Sequence, residues 1–333
     1  MLRDYDCFET VEGYIFSTLG DVHPPDRYWS ILKYVPGEGP WRRGTTTYRR
    51  VLKKYTVIEY LNSIEFLKSS NPSYVYRDAT VDAEIIAPPG ERITRVYRAR
   101  DAMEEILNGE RLGRLESMVR HLCGLLSDLS GVDERSFGVT GSILMRMYHD
   151  DSDIDLLIYG LRETKALMEA LSTTSRIDGM RLVKDGDDSD WVSRATGRYP
   201  LSETDLRSLA SRVINKGNFQ GKRFTIFAVR NDPLFSYGDY VFVRRGAKEV
   251  RLEVTDCTQS LCTPSIYGVD DDNEYGIEAI WCYDKMLAGL LREGDVAEVR
   301  GELEIAMSNG VERWRHVLVG SYRGAGAEYI RLL

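Results

Sequence analysis

Two aspartates that alternate with apolar residues constrain the fold of this chain more than any other feature. They occur as Asp153-Ile154-Asp155-Leu156, and the apolar stretch continues to Tyr159. Because side chains alternate across a β-strand, we expect both aspartates on one face and Ile154 and Leu156 on the opposite, buried face. Two carboxylates on one face repel each other, and a Mg²⁺ ion, which prefers oxygen ligands, would offset that repulsion.

A Gly-Ser pair lies ten residues before these aspartates. Gly141-Ser142 follows a short predicted strand at 136–139 and begins a short predicted helix. Glycine lets the backbone approach a ligand closely, and the first N–H groups of a helix together with a serine hydroxyl can bind an anion. A phosphate pocket beside a divalent-metal site is suited to phosphoryl or nucleotidyl transfer.

The Gly141-Ser142 pair and the run at 152–156 (SDIDL) together resemble the motif of the DNA polymerase β-like nucleotidyltransferase superfamily. The whole chain is also similar to archaeal proteins that carry a predicted nucleotidyltransferase domain. The resemblance implies a mixed sheet with helices, an NTP substrate, and Mg²⁺ or Mn²⁺ held by Asp153 and Asp155. It also implies that Gly141 and Ser142 bind the nucleotide phosphates, with Arg146 as a further phosphate contact, shifted by one position from the family's arginine.

Members of this superfamily usually carry a third acid on a later strand, and this chain departs from that pattern. The strand predicted at 223–229 has Thr225 in the corresponding place. Asp232, Glu253 and Asp256 could substitute from nearby segments. We favour Glu253 as the third catalytic carboxylate because it lies within a predicted strand.

A second feature is a basic segment in which aromatic residues are interleaved with the charges. Such a segment can follow a phosphate backbone and stack bases, or it can be an ordinary solvated face. Residues 1–100 carry 15 basic and 13 acidic side chains, although the whole chain has a net charge of −8. These side chains are candidate nucleic-acid contacts: Arg42, Arg43, Arg49, Arg50, Lys53 and Lys54.

Length and patterning predict three domains in an α+β protein of 333 residues. We expect a β-rich domain at 1–100, a nucleotidyltransferase-like α/β domain at 101–235 and a second β-rich domain at 236–333. Five scattered cysteines, no long apolar run and a charged N-terminus predict a reduced, cytoplasmic protein without a membrane span.

Apolar spacing locates the individual elements. Helices are predicted at 101–107, 112–129, 163–175, from Ser202 to Gly217, and at 277–292. Strands are predicted at 8–19, 29–35, 81–86, 153–159, 180–183, 240–244 paired with 250–255, and 296–306 with 314–319 around the turn at Asn309-Gly310.

Three functions are compatible with these features. The first is a Mg²⁺-dependent nucleotidyltransferase that moves a nucleoside monophosphate from an NTP to an acceptor, with RNA favoured by the basic segment. The second is a nucleotidyltransferase fold that has lost catalysis and binds nucleotide or RNA. The third is an interaction protein whose partner is another protein.

Overall fold

The described residues form three large β-sheets, one two-stranded sheet and the helices that pack on them. The computed structural model describes residues 2–174, 177, 179–186 and 188–333. The described residues form these α-helices: α1 (Val57–Ser70), α2 (Ala99–Asn108), α3 (Arg114–Ser130), α4 (Gly141–Leu144), α5 (Leu161–Thr173), α6 (Ser189–Ala195) and α7 (Glu203–Ala210). The strands are β1 (Cys7–Thr10), β2 (Ile15–Thr18), β3 (Ser30–Arg43), β4 (Thr46–Arg50), β5 (Val75–Asp78), β6 (Ala83–Ile86), β7 (Ile93–Tyr97), β8 (Phe137–Val139), β9 (Ile154–Tyr159), β10 (Met180–Leu182), β11 (Lys216–Phe219), β12 (Lys222–Val229), β13 (Val241–Gln259), β14 (Ser265–Val269), β15 (Ala279–Cys282), β16 (Val296–Ser308), β17 (Val311–Val319) and β18 (Tyr329–Leu332).

The N-terminal sheet is antiparallel and has the strand order β4-β3-β2-β1-β7. Helix α1 and the small β5–β6 hairpin pack beside it. The helix was not predicted, because its Val, Ile, Tyr and Phe residues are typical of strands and hide a helical spacing. The predicted strand at 8–19 is in fact the hairpin of β1 and β2.

The middle sheet has the order β10-β11-β12-β9-β8. Strand β9 lies in its interior, parallel to β12 and antiparallel to β8. One face is covered by helices, among them α3, which agrees with the helix predicted at 112–129. Its apolar side chains are part of that core: Leu115, Met118, Val119, Leu122 and Leu126 are all buried. The opposite face packs against the N-terminal sheet through Leu157, Tyr159 and Val229.

The C-terminal sheet has the order β13-β14-β15-β17-β16-β18, and β13 also pairs with β16. The five strands β13, β14, β15, β17 and β16 therefore close on themselves, with β18 added outside β16. The predicted turn is present: Asn309 and Gly310 both have positive φ and connect β16 to β17. Helices α6 and α7 pack against this closed sheet.

Three local predictions in the second half of the chain are wrong. The segment at 277–292 is not helical, because Ala279–Cys282 forms β15 between β14 and β17. The predicted strands at 240–244 and 250–255 do not pair with each other. They belong to one long strand, β13, whose partner is β16, and a bulge lies between Arg244 and Ala247. Helix α7 has the predicted Ser202 cap but ends at Ala210, and Gly217 belongs to β11.

The fold is thus a mixture of α and β structure with several sheets. All five cysteines are free thiols. No helix in the described part of the chain has both the length and the apolar character needed to cross a membrane.

Candidate functional site

The two aspartates lie at the start of β9, an interior strand of the middle sheet. Asp153 directly precedes the strand and Asp155 is its second residue. Ile154 and Leu156 are fully buried on the helical side, which confirms the predicted alternation. The side chain of Asp155 therefore lies on the opposite face, together with Leu157, where the middle sheet meets the N-terminal sheet.

The turn at Gly141 packs directly against Asp155. The backbone N–H of Thr140 donates to the Asp155 carbonyl oxygen at 3.0 Å. Gly141 has a φ of +70°, and a Cβ atom there would lie 2.7 Å from Asp155 Oδ2. That separation is too short for a carbon atom, so glycine is needed to bring the turn this close to the carboxylate. Ser142 is buried in the same turn, and α4 is a single helical turn.

Asp153 is paired with an arginine from the neighbouring strand. Arg223 of β12 donates from Nε to Asp153 Oδ1 at 3.0 Å and from Nη2 to Oδ2 at 3.1 Å. Its third nitrogen, Nη1, donates to Asp190 of α6 at 3.3 Å. The guanidinium group thus lies as a cation between two carboxylates at the edge of the site.

The position of the third acid is occupied by a threonine. Thr225 of β12 lies directly opposite Asp155 in the parallel register. Glu253, which we favoured as the third carboxylate, is exposed on β13 of the C-terminal sheet. Across the described ranges, no group of three or more His, Cys, Asp or Glu side chains could hold a metal ion. Glu253 therefore does not complete a ligand cluster with Asp153 and Asp155.

Three positively charged side chains lower the pKa of the Asp155 carboxylate. Burial raises its pKa above the ordinary value, and Asp153 adds to the rise, whereas Lys33, Arg50 and Arg223 oppose it. Lys33 is on β3, and Arg50 is on β4, where its Nη2 atom lies 3.4 Å from the Tyr34 hydroxyl. The N-terminal sheet thus brings positive charge to the carboxylates of the middle sheet.

The basic segment does not form one continuous face, because strand alternation divides it. Arg43 is half-buried and bonds the Tyr48 hydroxyl and Glu9. Arg50 is also half-buried, with its guanidinium group 5.0 Å from the centre of the Trp41 ring. The other four side chains of the segment are exposed: Arg42, Arg49, Lys53 and Lys54.

Arg146 is placed away from the turn that it was predicted to assist. It has a positive φ of 49°, its side chain is largely exposed, and it pairs with Glu105 of α2. The predicted phosphate contacts that the structure brings together with Asp155 are therefore Gly141 and Ser142.

The carboxylate oxygens of Asp153 and Asp155 are suitable ligands for a divalent cation. No side-chain or backbone donor in the described chain hydrogen bonds the half-buried Asp155 carboxylate. Arg223 shows that a cation is accommodated between Asp153 and its surroundings. Mg²⁺ is commonly bound by one or two carboxylates and substrate phosphates, so two aspartates are an adequate protein ligand set.

Sequence reasoning missed Lys33 and Arg223 and gave Arg50 a different role. Lys33 is a single charge inside an apolar strand, SILKYV, and that isolated charge is a signal for a residue with a buried partner. Nothing in the local pattern relates it to Asp155, because the pairing arises from packing of one sheet on another.

Comparisons with known proteins give one relative. The chain is 27% identical to an uncharacterized protein of Methanocaldococcus jannaschii, MJ1086, over 337 aligned positions that cover 99% of each chain. No family model and no solved structure matches the chain. The similarity extends over both flanking sheets as well as the middle sheet.

Proposed function

We propose that this chain is a Mg²⁺-dependent nucleotidyltransferase of the DNA polymerase β-like type, which moves a nucleoside monophosphate from an NTP to an acceptor. The observation that carries the proposal is the contact between the Gly141 turn and Asp155, which places a glycine turn, a buried serine and two carboxylates together. Turns of this kind approach phosphate groups, and paired carboxylates are ligands of the metal that accompanies them.

The residues have distinct roles in this proposal. Asp153 and Asp155 hold the metal ion, which neutralises phosphate charge when it is bound. Gly141 and Ser142 contact the phosphates. Arg223, released from Asp153, remains held by Asp190 and faces the nucleotide as a positive charge. Lys33 and Arg50 face the half-buried Asp155 carboxylate from the N-terminal sheet.

In the transfer step one bond to phosphorus forms and one breaks. An acceptor hydroxyl oxygen forms the new bond to the α-phosphorus, and the bond from that phosphorus to the bridging oxygen breaks. Pyrophosphate leaves with the electron pair, and the hydroxyl proton is released to solvent. Holding the two reactants side by side supplies much of the rate increase that such an enzyme needs.

A transfer assay tests this function. Each of the four NTPs, labelled on the α-phosphate, is incubated with the protein and Mg²⁺ or Mn²⁺ in the presence of total RNA, a small-molecule filtrate or cell protein. We expect metal-dependent labelling of one fraction, lost in Asp153→Asn and retained in Asp128→Asn, which removes an exposed carboxylate of α3. Absence of labelling with every NTP, together with absence of NTP binding, would refute the proposal.

A second candidate function is favoured by one observation. Thr225 opposite Asp155 and Arg223 on Asp153 are the features of a nucleotidyltransferase fold that binds nucleotide or RNA without catalysis. In that case NTP binding survives Asp153→Asn and no fraction is labelled. Thr225→Asp then tests the missing acid, because a carboxylate in register with Asp155 is expected to create metal-dependent labelling in an inactive fold.

A further inference from the structure

An apolar cleft lies between the N-terminal part of the protein and the C-terminal sheet. Its volume is about 200 Å³. Helix α1 and the β6 hairpin line one side, and β13 and β15–β17 line the other. Binding pockets for small molecules commonly have apolar walls. A volume of about 200 Å³ limits the occupant of this cleft to a small molecule.

Aromatic and aliphatic side chains dominate the walls. The rings of Trp29 and Tyr283 lie 5.7 Å apart across the two sides. Trp29 Nε1 donates to the Tyr60 hydroxyl at 3.1 Å, and that hydroxyl also accepts from the Ile86 backbone at 2.9 Å. These bonds hold the rings in place before a ligand arrives. The aromatic residues of the cleft are Trp29, Tyr55, Tyr60, Phe242, Trp281, Tyr283 and Tyr322.

The charges of the cleft neutralise one another. Its lining contains four basic and four acidic side chains. Arg198 pairs with Asp284 at 2.7 Å, and Arg244 lies 3.5 Å from Glu304. A polyanion such as RNA needs an excess of positive charge to offset its phosphates. A net-neutral, aromatic lining instead complements an uncharged molecule with a flat ring.

Side chains in the walls of this cleft contact residues that lie close to the aspartate site. The Tyr55 ring contacts the Lys33 ammonium group at 5.7 Å, and Lys33 acts on Asp155. At the other wall, the Lys285 ammonium group lies 4.9 Å from the centre of the Tyr5 ring. The Tyr5 carbonyl accepts from the Thr140 hydroxyl at 2.9 Å, directly before the Gly141 turn.

A second contact joins the cleft to the middle sheet. The Tyr5 ring stacks on Phe227 of β12 at 4.9 Å. Lys216 of β11 donates from Nζ to the Lys285 carbonyl at 2.7 Å, and Lys216 lies in register with Thr225. A molecule in the cleft would therefore be separated from the aspartates by side chains that contact both sites.

We propose that this cleft binds an uncharged small molecule that contains a flat ring. This inference does not rest on the proposed function.

Two matched probes test this inference. Fluorine NMR records the line width of para-fluorophenol and of para-fluorophenyl phosphate on addition of the full chain. We expect the uncharged phenol to broaden and the phosphate to remain sharp. Broadening of the phosphate beyond that of the phenol would overturn the inference, because it would identify an anion site.

A filling substitution locates the bound probe. Ala83→Trp places a large ring in the cleft, and Val81→Phe is the alternative if that variant does not fold. Val311→Trp adds the same ring at an exposed position of β17 and is the control. We expect the phenol signal to sharpen in the cleft variant and to stay broad in the control. Equal broadening in both variants would contradict binding in the cleft.

Discussion

The aspartate site and the aromatic cleft lie close together but differ in how their charged side chains are balanced. Asp155 is a half-buried carboxylate with a raised pKa. The neighbouring Asp153 is paired with Arg223 of another strand. In the cleft, by contrast, acidic and basic side chains are equal in number. This difference is the basis of our two proposals: that the first site binds a metal ion and phosphates, and that the second binds an uncharged molecule.

Gly141→Ala is expected to have the largest effect of the substitutions considered, because it disrupts the aspartate site. The new methyl group would lie 2.7 Å from Asp155 Oδ2, so the turn and the carboxylate must separate. A displacement near 1 Å at a reacting site can lower a rate ~100-fold, and we expect a loss of that order in nucleotidyl transfer.

Gly131→Ala is the matched control for that substitution. Gly131 also has a φ of +70°, at the end of α3, and a Cβ there would meet no atom within 4 Å. Both variants should lose about 1–2 kcal/mol of stability from the left-handed backbone. Activity should fall only in Gly141→Ala, and equal activity in the two variants would contradict the close contact with Asp155.

Asp4 is a buried acid that lies close to Lys285, a residue of the cleft wall. Burial raises the pKa of Asp4 to about 6, against opposing contributions from Lys285, Thr263 and the Gly20 N–H. Its contribution to stability is therefore fully present below the unfolded value of 3.8 and is lost as the pH rises through about 6. Relative to Asp4→Asn, the native chain should lose roughly 3 kcal/mol of unfolding free energy over that range.

Urea unfolding at a series of pH values measures the Asp4 effect. The control is Asp128→Asn, which makes the same substitution at an exposed position of α3. An identical pH dependence for the two variants would show that Asp4 is not held in a costly ionised state.

Arg223→Gln is expected to have a smaller effect. It tests whether the arginine and a metal ion compete for Asp153. Without the guanidinium group, Asp153 is free to bind a metal ion, and we expect Mn²⁺ affinity in the absence of nucleotide to rise by ~5-fold, about 1 kcal/mol. Calorimetry measures this. Arg135→Gln is the control, because Arg135 forms a similar two-pronged pair with Asp133 on the surface. Weaker metal binding in Arg223→Gln would contradict competition between the arginine and the metal.

Much of the fold could be predicted where local pattern and tertiary contacts agree. The strand at Asp155, the apolar face of α3 and the hairpin at Asn309-Gly310 are examples. Prediction failed where packing overrides local preference. The segment that contains β15 has a helical composition, yet its place between two strands makes it a strand.

The candidate site was predictable only in part, for a related reason. Asp153, Asp155, Gly141 and Ser142 are close in the sequence, so their proximity follows from one strand and one turn. The cations around them come from β3, β4 and β12 and meet the carboxylates through the packing of two sheets. The cleft is formed by segments from both ends of the chain, and no local pattern indicates it.

The central claim is that Asp155 forms part of a metal-dependent nucleotide site. The most direct measurement is calorimetric NTP binding with and without Mg²⁺, for the native chain, Asp155→Asn and the control Asp128→Asn. We predict Mg²⁺-dependent binding that is unchanged in the control and at least ~10-fold weaker in Asp155→Asn, a loss of about 1.4 kcal/mol. Nucleotide binding that is unaffected by Asp155→Asn, or absent with every NTP, would contradict the claim.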